Sequence, residues 1–312
     1  MDAGRRLVAR PDADRRRHER RHEHEQRGVF HLAHGIAAVA VLAVLAGCGG
    51  GGSSAPPTVT IQPALTYQLS RFTPAAPVQA GKPVTVSFTV LEPGGHALTQ
   101  YKHGAGPHNG VHLIIVRRDL AFIIHRHPPV GPGGRISETV TFPEPGPYHV
   151  VIDLYPKTNG PQPNYQLFTS ITVAGAYKPQ PLPPFRASET AGGYHFTLHG
   201  TPHLKAIVPA FLDFTVTAPN GAKAKFTQWY GALAHAIFFR RGSLDYFHTH
   251  VCAPGAVGCA SIFGGASVTG TSATPGKLKV GVLVPLPGTW RLFLQCKLGG
   301  HVVTAPFTLH VR

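Results

Sequence analysis

After Met1 the 312-residue sequence contains no methionine. That removes thioether ligands and argues against a copper(I) carrier built on methionine or a blue-copper centre with an axial Met. Acidic residues are scarce, 14 Asp+Glu against 29 Lys+Arg, too few for calcium, which takes six to eight oxygen ligands. No stretch after residue 47 repeats apolar residues at a helical period, so a helical bundle is excluded. The chain has no G-x-S-x-G, and residues 48–312 have no H-E-x-x-H. Beyond the leader the usual nucleophile and metalloprotease signatures are therefore missing, and the protein reads as non-enzymatic.

What is abundant is glycine and proline, 36 and 30 residues, with short runs of alternating Thr and Val between them. This is the pattern of an all-β, turn-rich chain. The first 27 residues carry nine Arg and six acids and lead into an apolar stretch, Leu32 to Ala46, then Gly47-Cys48. A basic leader, an apolar core and small residues before a cysteine read as a lipoprotein signal peptide, with Cys48 as the lipidated residue. The apolar stretch is short for a spanning helix, which needs about 20 residues. Gly49 to Pro57 follows as a flexible tether. Without the leader, 20 Lys+Arg stand against 8 Asp+Glu. An exported basic protein is expected to meet the membrane, an anionic cell-wall polymer or another envelope protein rather than nucleic acid.

The most specific feature is a repeat. His112 to Pro128, HLIIVRRDLAFIIHRHP, returns as His235 to Val251, HAIFFRRGSLDYFHTHV. Each copy places a His before an apolar run, an Arg-Arg pair, a second apolar run and His-x-His. Short β-branched and aromatic runs about a polar centre predict a β-hairpin. A turn at Arg118-Asp119, or at Arg241-Gly242, puts His112 opposite His125 and His235 opposite His248. His127 and His250, two residues further on, share that face. The expectation is three co-facial imidazoles on each hairpin, forming two clusters. The Arg pairs read as solvated turn residues.

Around the hairpins the sequence predicts strands at Val84–Leu91, Arg135–Phe142, Tyr148–Tyr155 and Tyr165–Val173. In the second half they are predicted at Ile207–Ala218, Lys277–Pro285, Thr289–Lys297 and Val302–Val311. The domains read as 58–174 and 192–312, joined by a Pro-rich linker, 175–191. The strand count suits two tandem immunoglobulin-like (cupredoxin-like) β-sandwiches. Pro145-Gly146-Pro147-Tyr148 recurs as Pro287-Gly288-Thr289-Trp290, and the aromatic is expected to plug the core. In such a sandwich the sixth strand neighbours the third. Asp153 then reaches the His cluster as a ligand or as an acceptor behind one, while the second copy has Gln295 there. Cys252 and Cys259 flank a Gly/Pro loop that a disulfide can close. Cys296 is a remote ligand candidate.

These motifs resemble a two-repeat family of actinobacterial exported lipoproteins, uncharacterised or heavy-metal-associated. Its members carry HL-x-x-x-R-x-D-L-x-x-x-x-H-x-HP and a later PG-x-Y-x-x-x-x-D. The resemblance implies a fold and a location more than an activity. Copy two departs from it at Val251 and Gln295. The residues thus nominate His112, His125, His127 and Asp153, with His235, His248 and His250, as ligands for Cu(II) or Zn(II). The alternative is an interaction module in which the histidines fix hairpin register.

Overall fold

The computed structural model describes residues 66–157, 164–259, 262–263 and 266–312, all within one compact unit, Gln62–Arg312. Cys48 and the segments expected to be its signal sequence and tether lie outside the described residues. Regular structure among the described residues is β-strand apart from one 3-10 turn at Pro132–Gly134.

Repeat one holds β1 (Gln68–Thr73), β2 (Val78–Gln79), β3 (Pro83–Leu91), β4 (Val111–Arg117), β5 (Ile123–Arg126), β6 (Arg135–Thr141), β7 (Gly146–Leu154) and β8 (Tyr165–Ala174). They form two sheets, β1-β3-β6 and β2-β8-β7-β4-β5. The side chains between the sheets make one core, including Phe88, Leu113, Ile115, Tyr148 and Val150. β7 pairs with β4, as expected of a sixth strand beside a third, and brings His112 opposite Asp153.

Repeat two holds β9 (Ser188–Ala191), β10 (Tyr194–Leu198), β11 (Ala210–Thr217), β12 (Phe226–Thr227), β13 (Ala234–Arg240), β14 (Tyr246–Cys252), β15 (Ile262–Phe263), β16 (Ala266–Ser267), β17 (Gly270–Thr271), β18 (Lys277–Val282), β19 (Gly288–Leu298) and β20 (His301–Val311). Its β19-β13-β14 sheet matches β7-β4-β5, but β17 joins β14 to β18, so the sheet continues round into the other layer. Tyr148 and Trp290 plug their cores as expected, and each donates to the carbonyl four residues back, Tyr148 to Glu144 at 2.9 Å and Trp290 to Leu286 at 3.0 Å.

β4 and β13 are buried on both faces, which is why they read as unbroken apolar runs. Leu113 and Ile115 enter the core of repeat one, and Ala236 and Phe238 that of repeat two. The alternate residues Ile114, Val116, Ile237 and Phe239 join Val151, Tyr246 and Phe293 in a third cluster between the repeats. The sandwiches therefore pack on each other through their hairpin sheets.

Two expectations need correction. The hairpin loops are four residues long, closed by Arg117 N–H to Phe122 and Arg240 N–H to Asp245, and they centre one residue later than the predicted turn. Ile114, not His112, lies opposite His125, and His235 lies opposite His250 rather than His248. Each partner is displaced by two residues, a full strand period, so the histidines keep a common face. Arg118 and Arg241 are exposed, as expected of turn residues, but the first Arg of the first pair is not. Arg117 is buried and binds Asp119 and Glu144 in ion pairs, and Asp119 also accepts the N–H of Gln180, which ties the segment between repeats to the hairpin tip.

Candidate metal centre

The open end of each outward hairpin face carries the histidines, so packing the repeats together merges the two expected clusters into one. Three sets of ring nitrogens converge, each with its atoms within 4.8 Å of one another: His112, His125 and His248; His125, His127 and His235; His235, His248 and His250. Two of the three sets draw on both hairpins. The arrangement has an approximate two-fold relation, with His112, His125 and His127 corresponding to His235, His248 and His250. Thus the ring centroids of His112 and His248 lie 5.2 Å apart, and those of His235 and His125 lie 4.9 Å apart. Five of the six side chains are at most 5% exposed, and His127 alone is half-buried.

Hydrogen bonds settle which nitrogen of three rings faces inward. His112 donates Nε2–H to the Pro107 carbonyl at 2.8 Å, and His235 donates its own to the Trp229 carbonyl at 2.9 Å. His125 donates Nδ1–H to Gln295 Oε1 at 3.0 Å, while Gln295 Nε2 donates to Thr304 at 3.0 Å. A neutral imidazole has one N–H, so Nδ1 of His112, Nδ1 of His235 and Nε2 of His125 present lone pairs to the cluster. His127 Nε2 is 3.0 Å from His125 Nε2, and His248 Nε2 is 3.3 Å from His235 Nδ1. Ligand atoms sharing a tetrahedral ion at 2.0–2.1 Å stand about 3.3 Å apart. His112 Nδ1, His248 Nδ1 and both nitrogens of His250 are buried with no hydrogen-bond partner.

Burial keeps these rings neutral. It holds His112 down to about 3 and His235 to about 4, and carries His125, His127, His248 and His250 well below the usual imidazole value, with neighbouring histidines adding to the effect. Asp153 is pushed by burial up to about 7. Its Oδ2 lies 3.8 Å from His112 Nδ1, and the carboxyl accepts from Asn164 at 2.6 Å, Tyr246 at 3.2 Å and Tyr155 at 3.4 Å. It lies beside His112 Nδ1, the nitrogen turned to the cluster, and Tyr246 ties it to repeat two. Gln295, which looked like a lost ligand, is its counterpart and reaches across to repeat one.

Other residues fall outside the cluster. Cys296 alternates away from Gln295 into the core of repeat two, where burial lifts its thiol, so its place as a remote ligand is corrected. Cys252 and Cys259 form the expected disulfide. His149 stacks on Phe168, away from the cluster. Two aromatics that carry no metal-site signal in the sequence also reach the cluster: Tyr230 stacks on His127 at 3.9 Å, and Trp229 sits edge-on to His125 at 5.3 Å.

Residues 189–312 match a family model described as a domain of unknown function (DUF8832). No curated protein matches the chain. Among solved structures the chain is similar to invasin, a bacterial integrin-binding protein, at 12% identity and TM-score 0.21, over 79% of this chain and 39% of that one. A tetra-tandem repeat from the extending region of a large adhesion protein gives 10% identity and TM-score 0.25, over 80% and 50%. Fibronectin(III)-like modules of Clostridium thermocellum CbhA give 9% identity and TM-score 0.21, over 79% and 93%. The chain spans half or less of the first two.

Proposed function

We propose that this protein is an exported lipoprotein, anchored through Cys48, that binds a divalent transition metal in the shared histidine cluster. Cu(II) and Zn(II) are the ions whose preference for imidazole suits the ligands. The observation that carries the reading is the orientation of His112, His125 and His235. Each has its outer N–H held by an oxygen and its inner lone pair turned towards the others, the way metal-binding histidines are braced. Neutral rings need lose no proton before they coordinate. Buffering, sensing or delivery of the metal at the envelope, beside an anionic wall polymer or another envelope protein, is the matching role.

The second reading is a non-enzymatic interaction module with structural histidines. The ring–ring contacts His127–His125 and His248–His235 favour it, since each also serves as a hydrogen bond. It leaves the buried nitrogens of His112, His248 and His250 without partners, at about 1–3 kcal/mol for each unsatisfied group.

Calorimetric titration of the full chain with Cu²⁺ and Zn²⁺, beside the double variant His125→Ala, His235→Ala, separates the two. Tight binding that the variant loses supports a metal-handling protein. Heat no greater than that of scattered surface histidines leaves the module. Intact mass of the same preparation from an exporting host reads the lipid on Cys48.

A further inference from the structure

The histidine set nearest solvent is His125, His127 and His235, because His127 is the only half-buried ring of the six. His127 and Tyr230 also line a groove of about 540 Å³ whose other walls include His103, Asn109, Pro129 and Gly231. The wall is close-packed: a Cβ on Gly231 would lie 2.5 Å from the carbonyl carbon of Gly106, which also lines the groove. His127 is thus the cluster's contact with the groove.

We infer that a metal held by His125, His127 and His235 keeps an exchangeable coordination position, which takes a small anion from this groove. This rests on the metal-binding reading above. Three protein nitrogens leave a four-coordinate ion one ligand short, the pattern of an open rather than a closed site. Charge points the same way. Three neutral imidazoles leave a dication uncompensated, and the nearest described carboxylate, Asp153, is engaged by Asn164, Tyr155 and Tyr246 beside His112. A buried charge without a counter-charge is costly, so the vacant position favours an anionic ligand. Hydroxide, halide and azide have the right chemistry and size for a position reached past one ring. No covalent or redox step is involved: the anion replaces bound water.

The test is azide titration of the full chain loaded with one equivalent of Cu²⁺, followed by the azide-to-copper charge-transfer band and by electron paramagnetic resonance. A saturable band with a shifted copper signal is expected. His127→Ala should lose the band. His103→Trp alters an exposed residue of the groove; it should keep its copper and bind azide several-fold more weakly. Copper bound tightly with no azide response in the wild type overturns the inference and leaves a closed site. A band unchanged in both variants overturns its assignment to this triad. Failure to hold copper at all overturns the metal reading itself, and this inference with it.

Discussion

Each buried imidazole links protonation to folding. His112 and His235 are held down to about 3 and about 4, whereas in the unfolded chain they take up protons below about 6.5. For a group depressed in this direction the unfolded state binds more protons, so stability is full above the unfolded value and is lost as pH falls towards the folded one. Each ring contributes about 1.4 kcal/mol per pH unit within that window. Asp153, raised to about 7, acts oppositely: its burial costs stability as pH rises from about 4 to 7. The histidines outnumber it. Metal-free protein is therefore expected to show urea midpoints that fall steadily from pH 6.5 to pH 4.5, and a flat profile would refute their neutral burial. At this scale the sequence was informative about which side chains matter, because both copies repeat one spacing. It was silent about Gln295, whose role depends on His125, a residue 170 positions away.

Strands and hairpins were legible wherever local alternation decides them. β3, β6, β7, β8, β18, β19 and β20 fall close to their predicted spans. β1, β2, β10, β12, β15, β16 and β17 were not foreseen, being short or weakly patterned, and β9 lies wholly within the stretch read as linker. Hairpin register was missed because the polar centre RRDL supports either a two-residue or a four-residue turn. Face was nevertheless preserved, since the displacement equals the strand period. The doubly buried β4 and β13 could not be distinguished from ordinary core strands, because an apolar residue facing a second domain looks like one facing its own. Phe239 tests that outward packing. It is fully buried among residues of both repeats, and Phe239→Ala is expected to cost about 3–5 kcal/mol, measured by denaturant unfolding. A cost below about 1 kcal/mol would show that the inter-repeat contact contributes little.

On the scale of the whole molecule, the two sandwiches use equivalent surfaces against each other, as the halves of a two-fold dimer do. Pairing of that kind has no local sequence signal, and the repeat alone suggested two independent sites. A single repeat, residues 66–174, would expose Ile114, Val116 and Val151. It is expected to self-associate through that face, with sedimentation equilibrium reporting a dimer; a stable monomer would count against the packing.

The segment between the repeats, held to the hairpin tip through Gln180 and Asp119, has a consequence for dilution. A histidine site assembled from two separate chains falls apart as its concentration drops. Here the halves share one backbone, and short tethers maintain an effective concentration on the order of millimolar. The cluster is thus as complete in an isolated molecule as at high protein concentration, and the occupancy of any ligand it takes depends on the supply of that ligand rather than on the abundance of the protein.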